Sequence, residues 1–374
     1  LRSIRGFLPY HWDGVSYRQS VFGNFIHQLV EEQLGDNATM TQWYIKDENQ
    51  ESLAPLSDLR ASFEHRTGGV TTLERISKLM GSSPSGFLCD DAQRAAMISA
   101  RTGLEHVENK TAQPVDHPEI KTPWDILNNL PTLLAHDLEH ATPLDGKFAA
   151  KTIGEKTIHV HATAMIFPGV VLDATSGAIR IEEGAVIKSN AVLCGPCWIG
   201  KDCVITEGAL IKANTVFGPQ CKVGGEVGGT IFQGYSNKSH DGHLGDSIIG
   251  EWVNIGAGTT NSNLLNTYGD VIVTDLQGKR HRTGRQFVGC FVGDHAKFAI
   301  CSVIMTGTII GTGAMVATSV PALSPTKRFA WLTDVSERTY QIEKFLSVAK
   351  KIMARRGIEL DETTETIIRN LATN

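Results

Sequence analysis

The sequence predicts a mainly β protein built around a parallel β-helix, and two observations lead to that fold. Apolar residues recur every six positions from Ile181 to Val223, with a small residue four positions after each of the first seven, and the register returns between Val292 and Val316. A period of six fits neither an α-helix nor a simple strand alternation, but it fits short strands wound into the three flat sides of a prism. The apolar positions of the first run are Ile181, Ile187, Leu193, Ile199, Ile205, Ile211, Phe217 and Val223, and the small ones are Ala185, Ala191, Cys197, Cys203, Ala209, Thr215 and Cys221.

The segment before the β-helix has a different pattern. Residues 1–145 are predicted to form a mixed α/β region followed by a connector that prolines interrupt, with a short helix beginning after Pro123. Helical periodicity covers 21–34, 71–80 and 92–102, and strand patterns cover 40–45 and 86–89.

The β-helix is assigned to residues 146–322, with interruptions at 174–180, 224–246 and 261–286. Residues 323–374 are predicted to be a C-terminal helical extension. Its amphipathic segment, 337–356, carries one apolar face, and we expect that face to pack on the prism or on a neighbouring chain rather than on a membrane surface.

Composition excludes several classes of protein. The net charge of −5 and the pI of about 6.2 argue against a nucleic-acid surface. No apolar stretch approaches the roughly 20 residues of a membrane span, so we expect a cytoplasmic protein. The chain begins at Leu1 rather than at a methionine, so residues are expected to be missing upstream.

The cysteines allow two interpretations. Cys194 and Cys197 have the spacing of a redox dithiol. However, Cys197, Cys203 and Cys221 all occupy the small position of the hexad, where a compact apolar side chain is needed. We favour the structural interpretation.

The segment from Gly234 to Asp246 concentrates titratable groups where the hexad pattern lapses. Departures from a repeat often carry function. A neutral histidine is suited to accept a proton near neutral pH, so His240 is a candidate catalytic base. A metal-binding pair of His240 and His243 lacks a third well-spaced ligand, and plain loop polarity is the remaining alternative.

The same segment resembles a known family. The runs Asn237-Lys238-Ser239-His240 and Val253-Asn254-Ile255-Gly256-Ala257-Gly258-Thr259-Thr260, with Gly245-Asp246 between them, look like the acetyltransferase half of the bacterial bifunctional enzyme that makes UDP-N-acetylglucosamine. The likeness is greatest to a subgroup of sugar nucleotidyltransferases related to that enzyme. It implies a left-handed β-helix of hexapeptide repeats, a homotrimer, acetyl-CoA or another acyl-CoA as co-substrate, and an N-terminal domain that resembles a degenerate nucleotidyltransferase.

The resemblance also implies roles for individual residues. His240 stands at the place of the family's catalytic base. The residues that it places at the sugar substrate are Lys212, Glu226, Lys238, His243, Asn254 and Asn263, and those that it places at the acyl-CoA are Ala257, Asp294 and Thr318. This chain departs from the family pattern in three places, with His243 for a tyrosine, Gly228 near a phosphate-binding lysine, and Leu264-Leu265 in a polar segment.

The N-terminal region lacks the glycine-rich Gly-x-Gly-Thr-Arg loop of family uridyltransferase domains. Arg60, Arg66 and Arg75 are candidates for phosphate binding there, but we favour the interpretation that they are solvated surface charges.

Three functions follow as hypotheses. The first is an acyl-CoA-dependent acyltransferase, most simply N-acetyl, acting on an amino-sugar phosphate or a nucleotide amino sugar. The alternative is a sugar-phosphate nucleotidyltransferase that uses Mg²⁺ on Asp90-Asp91, with the β-helix serving oligomerisation. The third is a sugar-nucleotide sensor or scaffold without turnover.

Overall fold

A computed structural model describes residues 42–108, 115, 120–322 and 324–373. The predicted helix over 21–34, the start of the predicted strand over 40–45, and Pro114 and Pro118 lie outside these residues. Apart from Gln42, the described residues fall within one unit, Trp43–Asn374.

Parallel strands stack into three sheets along residues 151–317, and the predicted parallel β-helix is confirmed. The hexad explains why. All eight apolar positions from Ile181 to Val223 are buried in one cluster, and the small residues between them are buried with them. Side chains pack against their counterparts one coil above and below, so each coil completes the core of the next.

We name the three sides faces A, B and C. Face A holds Ile158–Val160, Ile179–Ile181, Cys197–Ile199, Thr215–Phe217, Ile231–Gly234, Ile248–Glu251, Cys290–Val292 and Thr308–Ile310. Face B holds Met165–Ile166, Val186–Ile187, Val204–Ile205, Lys222–Val223, Asn237–Lys238, Lys297–Phe298 and Met315–Ala317, with Asn254 bridging two of them. Face C holds Lys151–Ile153, Val171–Asp173, Val192–Cys194, Leu210–Ile211, Glu226–Gly228 and His243–Gly245, and Thr260–Asn261 and Val303–Ile304 pair beyond it.

The interruption predicted over 224–246 is wrong. The strands of this segment stay paired in register, with Phe232 on Phe217 and Leu244 on Val227. The coil is shorter than three hexads here, so the repeat lapses while the prism continues. The predicted interruption over 261–286 is a real insertion, and it contains an antiparallel hairpin, Ile272–Thr274 with Arg280–Arg282.

The described part of the N-terminal region contains three helices, α1 (Thr72–Met80), α2 (Ala92–Thr102) and α3 (Pro123–His140), and a parallel pair of strands, Tyr44–Lys46 and Gly86–Leu88. A 3-10 turn covers Ser62–Glu64. The proline-rich connector was expected to hold only a short helix, but α3 has 18 residues. Pro123 starts it, and the Thr122 N–H donates to the Asp125 carboxylate at 2.9 Å.

Helix α3 covers face A. The outward residues of that face form a buried apolar column, which the hexad pattern did not reveal because it marks only the inward positions. The column packs against the apolar side of α3 and against Leu53 and Leu56. Its members are Trp198, Val216, Ile231, Ile248, Phe291 and Ile309.

The C-terminal extension begins with a hairpin, Ala330–Thr333 and Ser336–Thr339, that pairs with face B. Helix α4 (Ile342–Ala354) follows, so the first residues of the helix predicted over 337–356 are strand instead, because they pair with the preceding strand. Phe345 and Ala349 of α4 pack against Phe329, so the extension lies on the prism. A second helix, α5 (Glu362–Thr373), lies in the remainder of the predicted helical extension.

No described helix is both long and apolar enough to cross a bilayer.

Candidate functional site

His240 lies at the corner where face B turns into face C. Here the turns of successive coils stack closely. A Cβ atom on Gly242 would lie 2.1 Å from the carbonyl oxygen of Thr259, and one on Gly224 would lie 2.7 Å from that of Ser239. His240 is exposed at the tip of the turn Ser239–Gly242, and its ring forms no hydrogen bond within the described residues. The corner therefore presents an accessible imidazole on closely packed backbone.

Lys238 holds that turn in place. It pairs with the inward-facing Val223, so its side chain enters the prism and is 1% exposed. Its ammonium group donates to the carbonyl oxygens of Gly224 (3.0 Å), His240 (3.0 Å) and Gly242 (2.7 Å). Burial lowers the pKa of Lys238 to about 8. All three ammonium hydrogens are donated to backbone, so the expected contact of Lys238 with the sugar is not what the structure shows.

The outward residues of face C form the first part of a polar cluster. Glu226 and His243 occupy neighbouring strands in register. The Glu226 carboxylate accepts a hydrogen bond from the ammonium group of Lys212, and its Oε1 lies 3.3 Å from Nδ1 of His243. The hydrogen bond from Lys212 is the main cause that lowers the pKa of Glu226. One carboxylate thus serves two basic side chains.

The cluster continues toward face A. The Asn263 amide donates to Asp246 at 2.7 Å. A Cβ atom on Gly245 would lie 2.7 Å from both His243 Nε2 and Asn263 Nδ2, so these side chains meet above that glycine. Burial raises the pKa of Asp246. We call Lys212, Glu226, His243, Asn263 and Asp246 the face C ladder.

Arg285 connects the ladder to the N-terminal region. Its guanidinium lies 4.0 Å from the Asp246 carboxylate and donates to the Asn128 side chain of α3 at 2.9 Å. Sequence analysis missed Arg285 and Asn128, because neither belongs to a motif and they are 157 positions apart.

Two further predicted residues lie near His240. Asn254 is exposed on face B, in a bridge with Asn237. Ala257 lies in the next turn of the corner, and the turn beyond it carries Ile300, which is 71% exposed. A Cβ atom on Gly256 would lie 2.5 Å from the backbone of Ala299, so the three turns are stacked. The turns that carry the exposed His240, the half-buried Ala257 and the exposed Ile300 follow one another along this corner, and we call these three residues the corner track.

Asp294 and Thr318 were expected at the acyl-CoA and do not lie on the corner track. Asp294 is 1% exposed and accepts hydrogen bonds from Arg60 (2.5 Å) and from the Glu251 N–H (2.7 Å). Thr318 is buried and donates to Asp334 at 2.8 Å. Both side chains are engaged inside the fold, and their contact with the acyl-CoA stays a prediction.

The three arginines are not surface charges, and two of them do not have a free guanidinium for phosphate. Arg60 is buried against Asp294, and Arg75 forms two bonds to Asp137 (2.8 and 2.7 Å). Arg66 is half-buried, and its guanidinium donates to the carbonyl oxygen of Gly69. The acidic partners of Arg60 and Arg75 lie far along the chain, so the sequence could not show that these two charges are paired.

The carboxylate pair considered for Mg²⁺ is only partly available. Asp90 is exposed, but the Asp91 side chain caps α2 by accepting from the Arg94 N–H at 2.8 Å. The residues that the structure describes contain no group of three or more potential metal ligands.

Comparison with known proteins supports the resemblance stated from the sequence. Residues 178–213 match the family model for bacterial transferase hexapeptide (six repeats). The chain is 36% identical, over 142 residues, to the bifunctional sugar-1-phosphate nucleotidylyltransferase/acetyltransferase of Sulfurisphaera tokodaii, covering 37% of this chain and 35% of that protein. It is 30% identical, over 200 residues, to the bifunctional protein GlmU of Methanococcus maripaludis, covering 53% and 42% respectively.

The chain therefore spans less than half the length of these two curated relatives. Among solved structures, the polysialic acid O-acetyltransferase OatWY aligns with 51% of this chain and with 87% of the OatWY chain, at 13% identity and a TM-score of 0.25. A superposition at this score supports no inference about the site.

Proposed function

We propose that this protein is an acyl-CoA-dependent N-acyltransferase, with an amino-sugar phosphate or a nucleotide-linked amino sugar as the acceptor. The observation that carries the proposal is the position of His240. It is an exposed imidazole on a turn that a buried lysine holds by three hydrogen bonds, at the start of the corner track. The name of the Sulfurisphaera relative, which includes acetyltransferase, supports the same chemistry.

In this mechanism the amine of the sugar attacks the thioester carbonyl carbon. His240 accepts a proton from the attacking nitrogen, which otherwise would leave the intermediate positively charged. The carbon–nitrogen bond forms, the carbon–sulfur bond breaks, and the leaving thiolate takes up a proton. The sugar would lie between the face C ladder and Asn254, and the acyl-CoA arm would follow the corner track past Ala257.

The proposed assembly is a homotrimer. Helix α3 covers face A, whereas faces B and C carry half-buried outward apolar residues, among them Val186 and Val204 on face B and Val192 and Leu210 on face C. Apolar rows on two sides of one rigid prism suit contact with two further copies. In such a trimer, the corner that carries His240 would lie beside a neighbouring chain. Leu210→Glu should then yield a monomer in light scattering, whereas a trimer that persists would contradict this arrangement.

The experiment that tests the activity is thiol release from acetyl-CoA, with glucosamine 1-phosphate and UDP-glucosamine as acceptors. His240→Ala should abolish turnover while the assembly and the thermal unfolding midpoint stay unchanged. His161→Ala is the matched control, because His161 lies in the first coil of the prism, remote from the corner. Unchanged turnover by His240→Ala would remove this residue from the mechanism.

The alternative is a sugar-phosphate nucleotidyltransferase, which the name of the Sulfurisphaera relative also includes. Pyrophosphate release from UTP and glucosamine 1-phosphate with Mg²⁺ would favour it. Three observations do not favour it: Arg60 is paired with Asp294, Arg75 is paired with Asp137, and the Asp91 carboxylate caps α2.

A further inference from the structure

The pair Glu226–His243 on face C has the geometry of an oriented base. Oε1 of Glu226 lies 3.3 Å from Nδ1 of His243. A carboxylate on one ring nitrogen holds the proton there and leaves the other nitrogen with its lone pair. Nε2 of His243 lies above Gly245, beside the Asn263 amide, and forms no hydrogen bond within the described chain. His240, three residues earlier, has no such partner.

Acylation of an amine requires the loss of two protons. A sugar amine is largely an ammonium ion near neutral pH, and an ammonium ion has no lone pair with which to attack. One proton must leave before the attack and a second after it. A single imidazole that accepts the first proton cannot accept the second until it has released the first to water.

We propose that His243, held by Glu226, accepts the first proton from the substrate ammonium, and that His240 accepts the second. This inference rests on the proposed function. The ammonium gives one proton to Nε2 of His243, the free amine attacks the thioester carbon, and the nitrogen–carbon bond forms. His240 takes the second proton and passes it to the thiolate as the carbon–sulfur bond breaks. The products are the amide, the thiol and one proton, which His243 returns to water.

The charges around His243 suit this step. The groups that face it are the carboxylate of Glu226, which Lys212 shares, and the carboxylate of Asp246, which Asn263 bonds and Arg285 approaches to 4.0 Å. Two carboxylates and two basic groups leave the ladder close to neutral before the substrate arrives. The positive charge of the ammonium is therefore not repelled, and it passes to an imidazole that lies between two carboxylates.

The test is the pH dependence of kcat/KM for thiol release from acetyl-CoA, with glucosamine 1-phosphate and UDP-glucosamine, between about pH 6 and 9.5. The variants are His243→Gln, Glu226→Gln and His240→Gln, with His161→Gln as the control. In His243→Gln, kcat/KM should fall by about 100-fold or more at low pH and should recover at higher pH, where the substrate amine is neutral. Glu226→Gln should show the same pH pattern with a smaller loss of kcat/KM. His240→Gln should have a reduced kcat/KM at every pH.

A structural role for His243 would lower activity by the same factor at all pH values, and that result, or an unchanged profile, would overturn the inference. Thermal unfolding of each variant identifies loss of folding. If the wild type releases no thiol at any pH, the proposed function fails and this step fails with it.

Discussion

The ammonium nitrogen of Lys238 lies 2.7 Å from the carbonyl oxygen of Gly242, inside the turn that presents His240. The contact joins a buried cation to the backbone of an exposed loop. It stabilises the loop from its buried side, so a residue inside the prism fixes the backbone that carries the imidazole.

Lys238→Met should therefore reduce both stability and turnover. The methionine keeps the buried aliphatic part of the side chain but leaves three carbonyl groups without a hydrogen-bond donor. Each buried acceptor without a donor destabilises the folded state by about 1–3 kcal/mol. We expect a loss of about 2–4 kcal/mol in urea denaturation and a lower kcat. Lys222→Met, on the exposed neighbouring position of the same face, is the control and should stay within about 0.5 kcal/mol. Equal free energies of unfolding for the two variants would show that the three hydrogen bonds of Lys238 do not stabilise the fold.

The ion pair of Arg60 with Asp294 should be structural. Arg60→Ala leaves a buried carboxylate without its partner, so we expect a loss of about 3–5 kcal/mol in the free energy of unfolding. Arg60→Met combined with Asp294→Asn should recover part of it, because no charge then remains unpaired. Exposed Arg338→Ala is the control. If the arginine instead bound phosphate, Arg60→Ala would weaken nucleotide binding and leave stability intact.

Lys297 should make stability depend on pH. Burial is the main cause that lowers its pKa from 10.5 to about 7. Between these values the unfolded chain binds more protons than the folded one, so the free energy of unfolding rises with pH in this window, by at most about 1.4 kcal/mol per unit. Urea denaturation at pH 7 and pH 9 should show this rise in the wild type relative to Lys297→Met. A difference between the two proteins that does not change with pH would refute it.

Thiol labelling should separate the cysteines by burial. Cys301 is exposed, whereas Cys197, Cys203, Cys221 and Cys290 are buried, and burial raises the pKa of Cys290 to about 12. Iodoacetamide at pH 8 should modify Cys301 first and the buried four only in urea, as read by mass spectrometry. Rapid native labelling of Cys197 would revive the redox interpretation of its pair with Cys194.

The sequence determined the prism and pointed to the place of the candidate site. A hexad is a local pattern that is repeated coil after coil. The position of a residue within its hexad therefore predicts whether its side chain points into the prism, and no distant contact needs to be known. For the same reason the turn with His240 and the stacked turn with Ala257 could be assigned from short motifs.

Only the tertiary structure decided which charges are free. Arg60 and Asp294 are 234 positions apart, and Arg75 and Asp137 are 62 apart. Lys238 was assigned to the sugar from the family resemblance alone. Its inward direction depends on the register with Val223, which the shortened coil conceals. The face C ladder likewise joins residues from separate coils and an inserted loop. Hydrogen bonds and ion pairs depend on distance in space, and the linear pattern of a chain does not contain that distance.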